Sequence, residues 1–530
     1  MPVYGEVLKD RFIGFLMWES ILSSGAFLLF RTLYLPLVHD SHHSASSAFL
    51  AILTFLIFVV SNLMFSAALH SATFPQPFAT SSPSEIIFAL LRLVFFVPSQ
   101  VDSVTSQTFR SRFSVTFLLV SFVVVTSVSG MISMASITSC ALWKVMVRGF
   151  LAGIIYSIVH LYKQRWVLAF PVIQRPFFFS FKLGVFPAIS KSFKLANATY
   201  LLSALFLYFV KEEPSREALS RKIFEQLVQY FGIFVVLLCW ELSHHLHQVL
   251  HTRRVVFAPP KGSAAAETNP SEPLLAALED SPPGSLMHCL AYLDLCMVCE
   301  NNVYAWRRAA FFEETAETYK RVVANCLRPL EQLIANVIEG LDCSNAEKGS
   351  PISNQMLLPS DSVLFSNIHL FDSFQQCLWG ARAVASLTSS SRAEDRFGTA
   401  QLSGSNALVI STLISCLLAV ETITGKKTTL HPPNQFMGPA GIKWAAAANG
   451  GVISRAQKPR SGVILAKAYT MADVLRASIY CVVFSFHQEM LASSKSGVLE
   501  KDWIFSGKHL FGSSEALLQK LHLFIDYKAC

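Results

Sequence analysis

Six apolar runs, each near the length needed to cross a bilayer, fill the first half of the chain: 12–30, 48–69, 113–135, 145–162, 194–210 and 227–242. A helix rises 1.5 Å per residue, so roughly 20 apolar residues traverse a hydrocarbon core. No water reaches the backbone there, and a helix is the local structure that satisfies its own amides and carbonyls. The expectation is therefore a bundle of membrane-crossing helices. Composition agrees, with 15% charged residues and 43 phenylalanines, against about 25% charged in soluble domains. The first run is longer than the roughly 7–15-residue core of a cleaved signal, so it reads as a retained span.

Three other apolar stretches are assigned differently. Residues 86–97 (IIFALLRLVFFV) are short, carry Arg92 and stop at Pro98, which predicts an interfacial or re-entrant helix. Residues 165–189 are rich in Phe but interrupted by Pro171, Pro176 and Pro187 and by Arg175 and Lys182, which predicts a segment lying at headgroup level. Residues 407–420 (ALVISTLISCLLAV) are too few for a span and predict a buried core helix. With six spans, the loops that share a side with the N terminus hold most of the Lys and Arg, including 163–191 and Arg253, Arg254 and Lys261. Both termini are thus expected in the cytosol.

Past Lys261 the texture changes. KGSAAAETNPSEP and EDSPPGS read as linker. Helical spacing of apolar residues follows over 286–341, 362–387 and 466–491, with 389–405 and 425–462 as loops. The expected fold class is all-α, a six-span transmembrane helical bundle followed by a soluble α-helical domain: 1–252 transmembrane, 253–285 linker, 286–530 helical interaction domain.

Two clusters hold potential ligands. Glu241, His244, His247 and His251 share one helix face, with His245 beside them, and HDSHH supplies His39, His42 and His43. The spacing is that of histidine boxes in membrane di-iron enzymes. An odd number of spans separates the two clusters, however, and His70 and His160 stand alone. The histidines are read as polar helix-end residues at the interface, and no metal site is expected. Cys296 and Cys299, near His288 and Cys289, lack a second ligand pair, since Cys326 and Cys343 are single. They are read as buried thiols on a helix face. The 11 cysteines follow no disulfide framework and are expected to be free. Glu19 and Arg148 are the clear charges inside spans, too few for a relay, and Gly149-x-x-x-Gly153 marks a possible close helix approach. Gly425-Lys426-Lys427-Thr428 lacks the upstream glycine of a phosphate loop. No cofactor and no direct nucleic-acid binding is expected.

RFIGFLMWESILSS at 11–24 and SEPLLAALEDSPPGSLMHCLAYLDLCMVCENNVYAWRRAAFFEE at 271–314 carry a resemblance. They resemble the first span and the start of the soluble half of the nuclear division cycle-type transmembrane nucleoporins, and RRVVFAPPKG is closest to plant members. The matching positions are Leu290, Ala291, Asp294, Leu295, Arg307, Arg308 and Phe311. The likeness covers most of the chain in layout, and 390–460 carry none of its motif. It implies a structural, non-enzymatic role: anchoring the pore scaffold in the pore membrane of the nuclear envelope and supporting pore assembly and nucleocytoplasmic transport. The implied partners are other nucleoporins of the scaffold and pore membrane, and the lipid bilayer. The seven motif residues are then expected to form a partner platform, with Arg253 and Arg254 at the membrane interface. The competing expectation is a multispan transporter or a membrane-bound metal-dependent enzyme.

Overall fold

The computed structural model describes residues 2–34, 45–77, 103–138, 142–171, 174–209, 219–259, 262–265, 269–346, 371, 373–424, 459–505, 507 and 509–529. The all-α class holds: every regular element among these residues is helical, apart from one isolated bridge between Phe74 and Val167. The chain divides into two compact units, Met1–Arg253 and Arg254–Cys530.

The first unit contains α1 (Pro2–Tyr34), α2 (Ala45–Ser71), α3 (Ser103–Ile137), α4 (Leu142–Tyr162), α5 (Phe177–Phe209) and α6 (Leu219–His251). Its outside is apolar: Met17, Ile21, Leu33, Phe49, Leu50, Phe117, Leu201 and Leu205 are exposed. An apolar exterior of this kind suits lipid better than water. The interior holds Phe58, Phe65, Phe122, Tyr156 and Trp240, with the rings of Phe65 and Trp240 stacked at 4.9 Å. Small polar groups bind helices across this interior. The hydroxyl of Ser61 donates to the carbonyl of Ser129 at 2.8 Å, Ser129 returns a bond to the carbonyl of Ser61 at 2.8 Å, and Ser133 reaches Ser61 at 3.0 Å. Gly130 of α3 and Gly149 of α4 face each other without room for a Cβ on either, and Gly153 lies against the backbone of Ser127. The small-residue spacing thus marks a real close approach.

Among the described residues six helices are long and apolar enough to cross a membrane. Five lie in α1, α2, α3, α4 and α6 and coincide with expected spans; the other is Ser405–Thr424 in the second unit. Residues 194–209 of the remaining expected span lie within α5, where Lys194, Asn197 and Thr199 dilute its apolar character. Residues 165–189 differ from expectation. From Phe177 onward they are helical and continuous with 194–209, running through Pro187. Only the stretch before α5 is irregular, and there Leu168 donates to the carbonyl of Phe74 at 2.8 Å. Residues 86–97 and the HDSHH histidines lie outside the described residues.

The second unit contains α7 (Glu272–Asp280), α8 (Leu286–Glu300), a 3-10 turn (Asn302–Tyr304), α9 (Ala305–Ala309), α10 (Glu317–Ala346), α11 (Phe374–Glu394), α12 (Thr399–Leu402), α13 (Ser405–Thr424), α14 (Pro459–Ser485), α15 (His487–Lys495), α16 (Leu499–Trp503) and α17 (Ser514–Ala529). Helix α8 starts where the Ser285 hydroxyl accepts the His288 amide. At the centre is α13, enclosed by α10, α14, α16 and α17, with Val409, Ile410, Leu413, Ile414, Leu417 and Val420 fully buried. Two-thirds of its most apolar window is buried against at most 44% for the helices of the first unit. Protein, not lipid, therefore covers it, as a core helix requires.

Two boundaries move. The stretch expected as an exposed linker belongs to the second unit: Phe257 is buried, and α7 packs Leu274, Leu275 and Leu278 against α8 and α10. Pro273 stands in the first turn of this short helix and the chain leaves it in extended form at Ser281, a local signal that composition alone reads as linker. Likewise α11 continues to Glu394 and α12 follows, so 389–405 is mostly helical. Residues 425–458 lie outside the described residues.

Candidate functional site

Two of the motif residues, Asp294 and Arg307, meet at one carboxylate. Asp294, on the inner face of α8, is fully buried and accepts four hydrogen bonds. The Nε of Arg254 reaches Oδ1 at 2.7 Å, the amide of Phe257 reaches Oδ2 at 3.0 Å, and Nη2 of Arg307 reaches Oδ2 at 2.9 Å. Arg307 also donates to the carbonyl of Phe257 at 2.8 Å, and Arg254 lies 4.2 Å over the ring of Tyr304. A buried carboxylate needs such company, because an unpaired charge in the interior is far more costly than a paired one. With its oxygens taken by two guanidinium groups and an amide, Asp294 is built to hold three chain segments together.

Arg308 forms the second half of the node. It pairs with Glu394 of α11, with Nε at 2.8 Å from Oε2, and donates to the carbonyl of Cys299 at 2.8 Å and to Asn302 at 3.2 Å. Leu290, Ala291, Leu295 and Phe311 are buried as well. All seven motif residues therefore point inward, and the expectation that they form a partner-facing platform is corrected. Arg254 is corrected too: it serves the Asp294 cluster rather than a headgroup layer. Arg253 offers its carbonyl to Arg11 at 2.6 Å within the first unit.

The cysteines of this region are buried and unpaired, as a helix face of thiols should be. Burial pushes the Cys289, Cys326 and Cys377 thiols up to about 12. Such groups stay protonated at neutral pH, unlike metal-binding or nucleophilic thiolates.

In the first unit the histidine face of α6 is also internal. His247 and His251 are each 1% exposed. The expectation of polar interfacial residues fails because other helices cover this face. Arg165 grips Glu241 with two bonds, at 2.5 and 2.7 Å, and its carbonyl meets His244 Nε2 at 3.2 Å. His245 turns elsewhere, to the carbonyls of Ser180 and Phe181. His70, which the sequence left alone, stands at the end of α2 with Nδ1 at 3.1 Å from His247 Nε2. His247 and His251 stack at 4.0 Å between ring centres. Span parity could have found His70, since the second and sixth runs end on the same side. Glu19 is fully buried one turn from Phe15, and Arg148 reaches Gln226 at 2.6 Å.

Comparison of the chain with protein-family models and with curated proteins finds no match.

Proposed function

We propose that this chain is a structural anchor of the pore-membrane nucleoporin type. In this reading the first unit sits in the nuclear envelope membrane and the second, on the cytosolic or pore side, holds the scaffold of the nuclear pore. The observation that carries the proposal is the Asp294 cluster. Two of the residues on which the resemblance rests, Asp294 and Arg307, lock α8, α9 and the segment before α7 into a single core. A motif used this way maintains a shape, which is what an anchoring protein needs. The role asks for no catalysis and no nucleic-acid contact, and its partners are other nucleoporins and lipid.

The test is location. A tagged chain expressed at native level should appear as puncta around the nuclear rim that coincide with the pore scaffold. Uniform reticular staining through the endoplasmic reticulum, with no enrichment at pores, would sink the proposal. Protease protection of tags at each end tests the orientation: both should be digested without permeabilising the membrane lumen.

A further inference from the structure

We propose that His70, His247 and His251 form a three-imidazole site for a divalent transition-metal ion of the zinc type, joining the ends of α2 and α6. This inference stands on the first unit alone and holds whether or not the anchoring role is right.

One nitrogen from each ring lies within 4.8 Å of the others, and the His70 and His247 pair is already at 3.1 Å. Zinc–nitrogen bonds of 2.0–2.1 Å in tetrahedral geometry put ligand nitrogens about 3.4 Å apart. Small ring rotations close the remaining distance. The tautomer of His251 is suited to the task. Its Nδ1 is 3.0 Å from the carbonyl of His247, so a proton there donates to that oxygen and leaves the Nε2 lone pair free. Metal-bound histidines are habitually oriented by such an outer hydrogen bond. His251 Nε2 is buried and has no hydrogen-bond partner, and the same is true of His247 Nδ1. An apolar wall surrounds the cluster: the Phe12 ring centre is 4.4 Å from that of His70, and Phe15 meets His247 edge-on at 5.0 Å.

The charge balance also has a physical basis. His70 belongs to the last turn of α2 and His251 to the last turn of α6. Two helix C-termini therefore converge on the cluster, and their dipoles favour a cation. Arg11, a cationic side chain near His251, donates to the carbonyls of His251 and Arg253, at 3.0 and 2.6 Å. Three neutral imidazoles suit zinc, copper(II) or nickel better than the oxygen-seeking magnesium or calcium. The fourth position is left to water, and the ion acts as a clamp between helix ends.

The experiment uses the full chain purified in detergent and treated with chelator. Titration with Co²⁺ should give one equivalent with the visible bands of a four-coordinate ion, and Zn²⁺ should displace it. The variant His247→Gln with His251→Gln should bind at least about 100-fold more weakly, beyond the roughly 10–100-fold that loss of an outer-shell partner costs. His245→Gln, which alters a neighbouring histidine outside the cluster, should bind like the wild type. Absence of stoichiometric Co²⁺ binding by the wild type overturns the proposal, without reference to any variant's folding. Equal affinity in the double variant overturns it as well, because the ion would then sit elsewhere.

Discussion

The hydroxyl of Tyr292 donates to the carbonyl of Asn325 at 2.7 Å, filling the place of an amide that Pro329 lacks. A proline inside a helix removes the bond that its nitrogen would make to the carbonyl four residues earlier. In α10 that carbonyl is the one Tyr292 reaches from α8. Tyr292→Phe keeps the ring and orphans a buried acceptor, a loss of about 1–3 kcal/mol. Denaturant unfolding of the full chain, followed in the second unit by hydrogen exchange, should show it. Unchanged protection of α8 and α10 would mean that the bond contributes nothing.

Asp294 offers a sharper contrast. Asp294→Asn preserves shape but removes the carboxylate charge on which Arg254 and the buried Arg307 converge, which should cost about 3–5 kcal/mol. Replacing Asp294, Arg254 and Arg307 together with apolar residues of similar volume should recover much of that loss. If the single change is as stable as the triple one, the cluster is not acting as a charge network.

Between α3 and α4 the backbones themselves touch. A Cβ at Gly149 would collide with the carbonyl of Gly130, which cannot step aside as a side chain can. Gly149→Ala should therefore destabilise the first unit by about 1–3 kcal/mol, as overpacking does. Gly25→Ala, with open space around it, is the matched control. A melting curve in detergent that ranks the two equally would contradict the packing.

Thiol chemistry reads burial directly. With burial holding Cys289, Cys326 and Cys377 up near 12, only about one in 10⁴ of each is thiolate at pH 8, the reactive form. Raising the pH through 9 should add little labelling by iodoacetamide in the folded chain, and denaturant should release all three. Mass spectrometry of the labelled peptides distinguishes this from rapid native labelling.

Asn197 begins the sequence Asn-Ala-Thr, an acceptor pattern for N-glycans. Its side-chain oxygen accepts the Tyr230 hydroxyl at 2.6 Å, and Thr199 is buried, both within the helical packing of α5 and α6. The chain should migrate identically with and without glycosidase, and a shift on treatment would place this helix pair wrongly.

Local signals were readable from the chain and long-range ones were not. Length and hydropathy announce α1, α2, α3, α4 and α6, because a membrane-crossing helix is specified by its own residues. The 407–420 run was legible as core since its brevity argued against a span, even though the helix extends to 20 residues. Composition misread 254–285, where Leu274, Leu275 and Leu278 are buried against α8 and α10, partners that no local window includes. The meeting of His70 with His247, 177 residues apart, depends in the same way on how α2 and α6 pack. Asp294 and the two arginines were visible as a motif, while their inward direction was not, because charge in a sequence does not say what covers it.

The pairing of Lys520 with Glu421, 99 residues earlier at the end of α13, has a consequence for synthesis. At about 5–20 residues per second, the ribosome makes Glu421 roughly 5–20 seconds before the lysine that meets its carboxylate. During that interval a helix long and apolar enough to cross a membrane already has α10 beside it but lacks α14, α16 and α17, which are made after it. The nascent chain must therefore be kept from admitting α13 to the bilayer until α17 arrives, and a stop codon shortly before Ser514 would make that delay permanent.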